Sequence, residues 1–458
     1  MRMRNTVILV VIAALLAAYF FLVEQPRQKN SQERADAGID LAEFDIDEVA
    51  TVSITRPGVT VAFTRTDGGR WRMTSPADDR AADGAVNRLL GILSDGEIHR
   101  DLGRQKDVAP YGLDPPSAII DVVTAGGDTI LSLEVGDLTV EKYHSYARRR
   151  GDSSVLLIPT GVRRYSLDDP STFRNRKLTE FEMASVTKFT VTWPESSVTW
   201  RHQSNKSWTT EAMGETVRGR TRKVEDMIRR LRGLRADEFV PLGEVPVVQP
   251  LDAPPRSVSV ELKDGSRQEV AVGRRLESRV YAGARIGEEA EYRIVLTDTT
   301  VLDIFRLSVS DLRDRRLVDF TGIRLGKIVL ESPSFNITLV RPGGDWGFLN
   351  PALGPVDQPL VGFALTALAN LEFTRVIEPH ATNVESYGLS KGEIRITLFD
   401  DAGTEVERMT ATPIDGDAGV YSATSGHSGA ITAVDVMALD EVIGRFEALR
   451  TGGSQGDS

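Results

Sequence analysis

The sequence predicts an α+β fold, built as three tandem repeats of about 138 residues behind an N-terminal transmembrane helix. Each repeat is expected to hold antiparallel strands plus two helices. Three observations lead there: one long uncharged apolar stretch near the start, a set of landmark residues that recurs at a nearly constant interval, and a switch within each copy from alternating to helical periodicity.

The stretch TVILVVIAALLAAYFFLV, Thr6 to Val23, contains no charged side chain. Its 18 residues span about 27 Å as a helix, close to the hydrocarbon thickness of a bilayer, and a helix satisfies its own backbone there. Arg2 and Arg4 precede it, which keeps the amino end in the cytoplasm and places everything from Glu24 outside. A cleaved signal peptide fits less well, because the stretch is long and ends in bulky Tyr19-Phe20-Phe21-Leu22-Val23 instead of small residues. Residues 1–23 are therefore read as a cytoplasmic stub and single-pass anchor of the inner (cytoplasmic) membrane. Residues 24–40 form a polar linker that holds a periplasmic or extracellular body on the order of 20 Å from the bilayer.

The 458 residues carry a formal net charge of −11, or −13 once Arg2 and Arg4 are set aside. Such an acidic body does not offer the concentrated cationic face that a phosphate backbone demands, so nucleic acid is not an expected partner. The chain has no cysteine, which removes disulfides, thiolate metal sites, cysteine nucleophiles and a lipid-bearing cysteine together.

The repeats are read from aligned landmarks. Leu41-Ala-Glu-Phe44, Leu178-Thr-Glu-Phe181 and Leu317-Val-Asp-Phe320 lie 137 and 139 residues apart; Trp71, Trp208 and Trp346 follow at intervals of 137 and 138. Leu113, Leu251 and Leu389 are 138 apart both times, the first and last inside Tyr-Gly-Leu elements that open the related runs YGLDPPSAIIDVV and YGLSKGEIRITLF. Tyr146, Tyr281 and Tyr421 keep a similar period. The bounds that result are 41–177, 178–316 and 317–450, with 451–458 as a tail.

Within the first repeat, VATVSIT from Val49 and VTVAFTR from Val59 alternate around a Pro-Gly turn, and Trp71 opens a third strand. Val86, Leu89, Leu90 and Leu93 then fall on one helical stripe, matched by Val224, Met227, Ile228 and Leu231, and more loosely by Val361, Leu365, Leu368 and Leu371. The Tyr-Gly-Leu element leads into the strands AIIDVV, TILSLEV, HSYARR and SVLLI. Closing helices are expected around Val162–Arg176 and Thr299–Arg315. Each ends in a basic run, FRNRKL at Phe173 or LRDRRL at Leu312, that leads directly into the next repeat.

Chemistry-bearing motifs are sparse. His99, His144, His202, His380 and His427 show no metal-pair spacing, and Gly426-His427-Ser428-Gly429 lacks the G-x-S-x-G pattern of a nucleophile elbow, so it reads as a hairpin turn. Asp415-Gly-Asp417-Ala-Gly419 lacks the remaining ligands of a calcium loop, and no phosphate-binding glycine motif is present. No catalytic residue, cofactor or metal is expected, and the protein is read as not an enzyme. One charge feature stands out: Arg218, Arg220, Arg222, Arg229, Arg232 and Arg235 lie in a basic stretch whose expected helix buries Val224, Met227, Ile228, Leu231 and Leu234, with Arg222, Arg229 and Arg232 on its solvent side. Either its arginines pair with neighbouring acids on a solvated face, or they contact an acidic partner, lipid head groups or an anionic wall polymer.

The anchor, the tryptophan after a strand pair, the Tyr-Gly-Leu element and a later Val-Gly-[Asp/Arg] turn (Val135-Gly136-Asp137 and Val272-Gly273-Arg274) resemble the bacterial domain-of-unknown-function family DUF4340. The resemblance extends over the body from Leu41 to about Arg450. It implies an accessory protein often encoded beside ABC-type transporter components of gliding-motility type, with no catalytic residues to carry over. The expected partners are the bilayer, through residues 6–23, and ABC-type transporter or envelope subunits; the alternative is an envelope-polymer or ligand-binding protein.

Overall fold

The computed structural model describes residues 39–204, 206–212, 214–240, 256–287, 289, 292–414 and 417–452. The apolar stretch Thr6–Val23, the linker to Gly38, the Leu251–Pro255 element and Asp415-Gly416 lie outside the described residues. Among those described, no helix is long and apolar enough to cross a membrane.

The chain is a strand-rich α/β protein with three large antiparallel sheets. From edge to edge the first sheet runs Asp79–Arg80, Trp71–Ser75, Val59–Arg65, Val49–Arg56, Ala118–Thr124, Thr129–Leu138, His144–Arg149, Ser154–Pro159, Arg100–Arg104. The second repeats that order with Glu215–Gly219, Trp208–Ala212, Ser196–His202, Val186–Trp193, Arg256–Leu262, Arg267–Leu276, Arg279–Ile286, Arg293–Asp298 and Glu238–Phe239. The third has eight strands: Gly347–Phe348, Asn336–Val340, Leu325–Glu331, Ile394–Asp400, Glu405–Ile414, Asp417–Ser425, Ile431–Asp435 and Arg375–Glu378. Its missing edge strand is replaced by a side chain: Gln358 Oε1 accepts from Trp346 N–H at 2.8 Å, and Gln358 Nε2 donates to Trp346 O at 2.9 Å.

By contact density the chain forms two compact units. Of the described residues, one holds those within 39–180, 233–240 and 270–299; the other holds those within 181–232, 256–269 and 300–452.

The alternation read in the sequence sets the strand register. Val52 faces Phe63 and Ile54 faces Val61, so all four point to the same buried side. Helix α1, Asp83–Ser94, lays Val86, Leu89, Leu90 and Leu93 into that core. Helix α2 is Thr160–Leu167, shorter than the expected Val162–Arg176, because Pro170 lacks the N–H that a continuing helix needs and opens a 3-10 turn, Pro170–Phe173. Phe173 still reaches the core, its ring 5.3 Å from that of Phe63.

Helix α3, Thr221–Gly233, buries Val224, Met227, Ile228 and Leu231; Leu234, expected on the same helix, lies just past its end and is buried there. The expected closing helix Thr299–Arg315 is instead a 3-10 segment, Thr299–Arg306, followed by α4, Val309–Leu312. The break falls where Ser308 and Asp311 form a reciprocal capping box and start a new helix. Helix α5, Gln358–Ala369, buries Val361, Ala364 and Leu368, with Leu365 only partly covered and Leu371 beyond its end. Helix α6, Val436–Gly452, runs two residues into the range assigned to the tail.

The landmarks have physical explanations. Leu41, Leu178 and Leu317 are fully buried, and their N–H groups donate to Gly96 O, Leu234 O and Leu371 O at 2.6, 3.1 and 2.9 Å. Each repeat thus begins by closing the end of its own helix. The three tryptophans are each covered by a residue at or just past the end of the preceding strand: Arg65 lies 4.6 Å from the Trp71 ring, His202 4.9 Å from Trp208 and Arg341 5.8 Å from Trp346.

Candidate functional site

The segments that join the sheets pair with strand and helix ends on both sides and bring charged side chains together. FRNRKL, Phe173–Leu178, pairs backward and forward: Arg174 bridges Ala81, and Lys177 bridges Arg235. Ala82 N–H donates to Phe173 O at 2.7 Å and Asn175 N–H to Arg80 O at 2.9 Å. LRDRRL, Leu312–Leu317, does the same. Arg313 bridges Gly219, Arg316 bridges Glu372, Arg220 N–H donates to Leu312 O at 2.8 Å, and Asp314 N–H to Arg218 O at 2.9 Å.

Around the second junction stands a compact polar cluster. Arg316 forks onto two carboxylates, with Nε and Nη2 on Asp314 at 2.9 and 2.7 Å and Nη1 and Nη2 on Asp319 at 3.1 and 3.0 Å. His427, from the turn between Asp417–Ser425 and Ile431–Asp435, places Nε2 3.1 Å from Asp314 and Nδ1 3.1 Å from Arg218 Nη1. A guanidinium only donates, so Nδ1 accepts and Nε2–H donates to Asp314. Burial opposes ionisation of Asp314 most strongly, but the hydrogen bonds from His427 and Arg316 and the charge of Arg316 outweigh it and hold the carboxyl well below the usual range. Arg316 is correspondingly raised, chiefly by its hydrogen bond to Asp314. Glu407, accepting from the N–H groups of Arg408 and His427 at 3.1 and 3.2 Å, has its pKa raised by burial.

Arg218, Asp319, Glu405, Glu407, Arg408 and His427 line an open cleft of about 410 Å³ beside this cluster. Asp314, Asp319 and His427 offer ligand atoms within 4.8 Å of one another, the residue types a divalent cation uses. The Arg316 fork already supplies a cation to both carboxylates, so the donor set does not fit a metal without displacing it. The His427 ring faces Asp314 and Arg218, not a hydroxyl, which is a clamp rather than a nucleophile–base pair. Gly426–Gly429 forms the turn read from the sequence, but what that reading missed is that the ring is buried and hydrogen-bonded on both nitrogens. The available signal was the change from Asn175 to Asp314 between two otherwise similar basic runs.

The predicted arginine patch is dispersed. Arg218 goes to His427, and Arg220 pairs with Glu372 at 2.6 Å. On the exposed face of α3, Arg229 pairs with Asp226 and with Glu225, the latter at 3.5 Å, and Arg232 meets Glu182 at 3.2 Å. Arg222 and Arg235 are exposed, and the Arg235 carbonyl accepts from Thr297 Oγ1 at 2.8 Å. Outside this patch, His99 and His144 stack with ring centres 4.0 Å apart, and burial followed by the proximity of His99 lowers the His144 pKa.

The two glycine motifs prove to be one contact. Val135-Gly136-Asp137 lies inside the strand Thr129–Leu138 and is not a turn; a Cβ on Gly136 would stand 2.2 Å from Tyr111 O. Gly112, at φ +67°, has the Asp137 backbone nitrogen 2.8 Å from where its Cβ would be. Tyr111 packs edge-on against Tyr146, ring centres 4.9 Å apart, and Leu113 is buried beneath. The elements that carry the family resemblance therefore build a strand entry. Val272-Gly273-Arg274 likewise sits within a strand, Arg267–Leu276.

Residues 71–254 match the family described as Domain of unknown function (DUF4340), the family that these motifs resemble. No curated protein matches the chain.

Proposed function

We propose that the protein is a triplicated module on an N-terminal membrane anchor, working outside the cytoplasm as a non-enzymatic accessory component of an ABC-type transporter or envelope machine through protein–protein contacts. The observation that carries the contact reading is Phe363. On the outward side of α5 it stands, relative to the helix stripe, where α1 has Arg88 and α3 has Asp226, and it is 56% exposed. An aromatic ring in water at a position that its sister helices fill with charge is supported by no internal packing role and fits a partner surface. It borders a groove between α5 and α6 with Ala367, Leu371, Ala438 and Val442, and Met437 nearby in sequence is 77% exposed.

The anchor rests on Thr6–Val23 and the transporter partner on the family resemblance. Affinity purification of the full-length protein in mild detergent is expected to recover transporter or envelope subunits, and Phe363→Arg to deplete them severalfold with unfolding unchanged. Recovery of no such subunit contradicts the reading. Protease accessibility of the body in intact spheroplasts tests the placement separately. The polymer-binding alternative has less support, because Arg218, Arg220, Arg229 and Arg232 are already engaged within the chain.

A further inference from the structure

The first junction crowds three arginines, Arg80, Arg174 and Arg293, around one nearly fully buried carboxylate. Asp79, 4% exposed in its side chain, is met by Arg174 Nε at 2.7 Å and Arg293 Nη1 at 3.5 Å. Arg80, next in sequence, comes only within 3.9 Å of Glu289. Arg174 lies 3.9 Å above the ring of Phe239, and Arg293 lies 5.4 Å from it. Each of the two outlying guanidiniums spends one nitrogen on a backbone carbonyl: Arg80 Nη2 on Lys177 O at 3.4 Å, and Arg293 Nη2 on Asn175 O.

Their remaining buried donors are poorly matched: Arg293 Nη1 and Arg80 Nε meet carboxylates only at ion-pair distance, 3.5 and 3.9 Å. Arg80 Nε and Nη1 and Arg293 Nε and Nη1 meet no hydrogen-bond acceptor among the described residues, although the Arg293 side chain is only 10% exposed. Buried donors on charged groups are the most costly kind to leave unsatisfied. Burial, together with the repulsion of Arg80 and Arg174, lowers the Arg293 pKa to about 10, against the attraction of Asp79.

The crowding of arginines is particular to this junction. Where Arg80 stands, the second junction has Arg218, whose guanidinium meets His427; where Asp79 stands, it has Val217. The strands that correspond to Arg293–Asp298 in the other two sheets open at Ser154 and Ile431, neither of them charged.

We propose that Arg80 and Arg293, backed by Arg174, form a binding site for a small oxyanion, a carboxylate or a phosphate-type group. Guanidiniums present forked donors that match such groups, and the Phe239 ring beneath keeps competing water out. The proposal is independent of the anchor and of the transporter partner.

The test uses full-length protein in a non-ionic detergent at constant ionic strength, exchanging chloride for phosphate or for acetate. Unfolding midpoints and the ³¹P line width of inorganic phosphate are followed. One or both anions are expected to raise the midpoint saturably, and comparing them separates a tetrahedral from a planar ligand. Arg293→Met is expected to weaken binding at least about tenfold. Asp79→Asn removes the internal carboxylate that competes for the same donors, and is expected to strengthen it. No saturable response in the wild type overturns the proposal, as does an unchanged response in Arg293→Met, which would mark an adventitious ion only. Should Arg293→Met fail to fold, Asp79→Asn decides alone: binding that weakens or stays the same means the arginines are structural and solvated.

Discussion

The two junctions share a backbone and differ in charge. In both, a side-chain oxygen accepts from the N–H two residues on: Asn175 from Lys177 at 3.0 Å, Asp314 from Arg316 at 3.2 Å. In both, the segment bridges back to a strand end and forward to a helix end. At the first, Arg80, Arg174 and Arg293 crowd one buried carboxylate over an aromatic ring. At the second, Asp314 and Asp319 share Arg316, and His427 closes the set. The difference teaches that the turn geometry is what the joint requires, while the ionic wiring was free to diverge once the backbone contacts were in place.

The sharpest way to break this comparison is Asp314→Asn, which gives the second junction the residue of the first. The amide keeps the turn but removes the charge that Arg316 and His427 need, so a loss of about 3 kcal/mol is expected in urea unfolding. A carboxyl held low in the folded state stabilises above its unfolded pKa of about 4 and loses that contribution as pH falls through the folded value. The gap between wild type and mutant should therefore be full at neutral pH and shrink in acid. A constant gap would mean that shape, not charge, is at stake.

A second contrast lies between repeats. Gly112→Ala forces a Cβ into the Asp137 backbone, whereas Gly388 has only Thr412 at 3.6 Å; both sit at positive φ. The first substitution should cost about 2–3 kcal/mol and the second about 1, as thermal midpoints will show. Phe239→Leu keeps an apolar floor under the arginines but loses the ring face, which should cost about 1 kcal/mol.

Glu407→Gln works in the opposite direction. A carboxyl raised by burial favours folding at low pH, and that advantage is lost as pH rises through its folded pKa. The amide should therefore stabilise by up to about 1 kcal/mol at pH 7 and make no difference below pH about 4. The smallest effect is expected for Arg229→Ala on the exposed face of α3, about 0.5 kcal/mol or less and screened by salt. A loss several times larger would return that face to the centre of the account.

What the sequence made legible is what local periodicity encodes. HSYARR is the strand His144–Arg149 to the residue, and the stripes of α1 and α3 are buried as spaced. Helix ends were overrun where Pro170 and Ser308 break the chain, because the apolar pattern continues through both. The edge strand Arg100–Arg104 carries no alternation and was not seen. Val-Gly-Asp read as a turn because glycine usually marks one, whereas here it admits a carbonyl beside a strand. The buried clusters were hidden for a different reason. Asp314 and His427 are 113 residues apart, and Asp79 is far from Arg293, so no local pattern joins them.

The claim beneath these contrasts is that each junction is secured by its own buried cluster. Hydrogen exchange read by mass spectrometry on wild type and Asp314→Asn tests it directly. The account predicts lost protection in peptides covering 218–220 and 312–317, whose amides pair across the second junction, and unchanged protection in 80–82 and 173–178. Equal loss at both junctions, or none at the second, would contradict it.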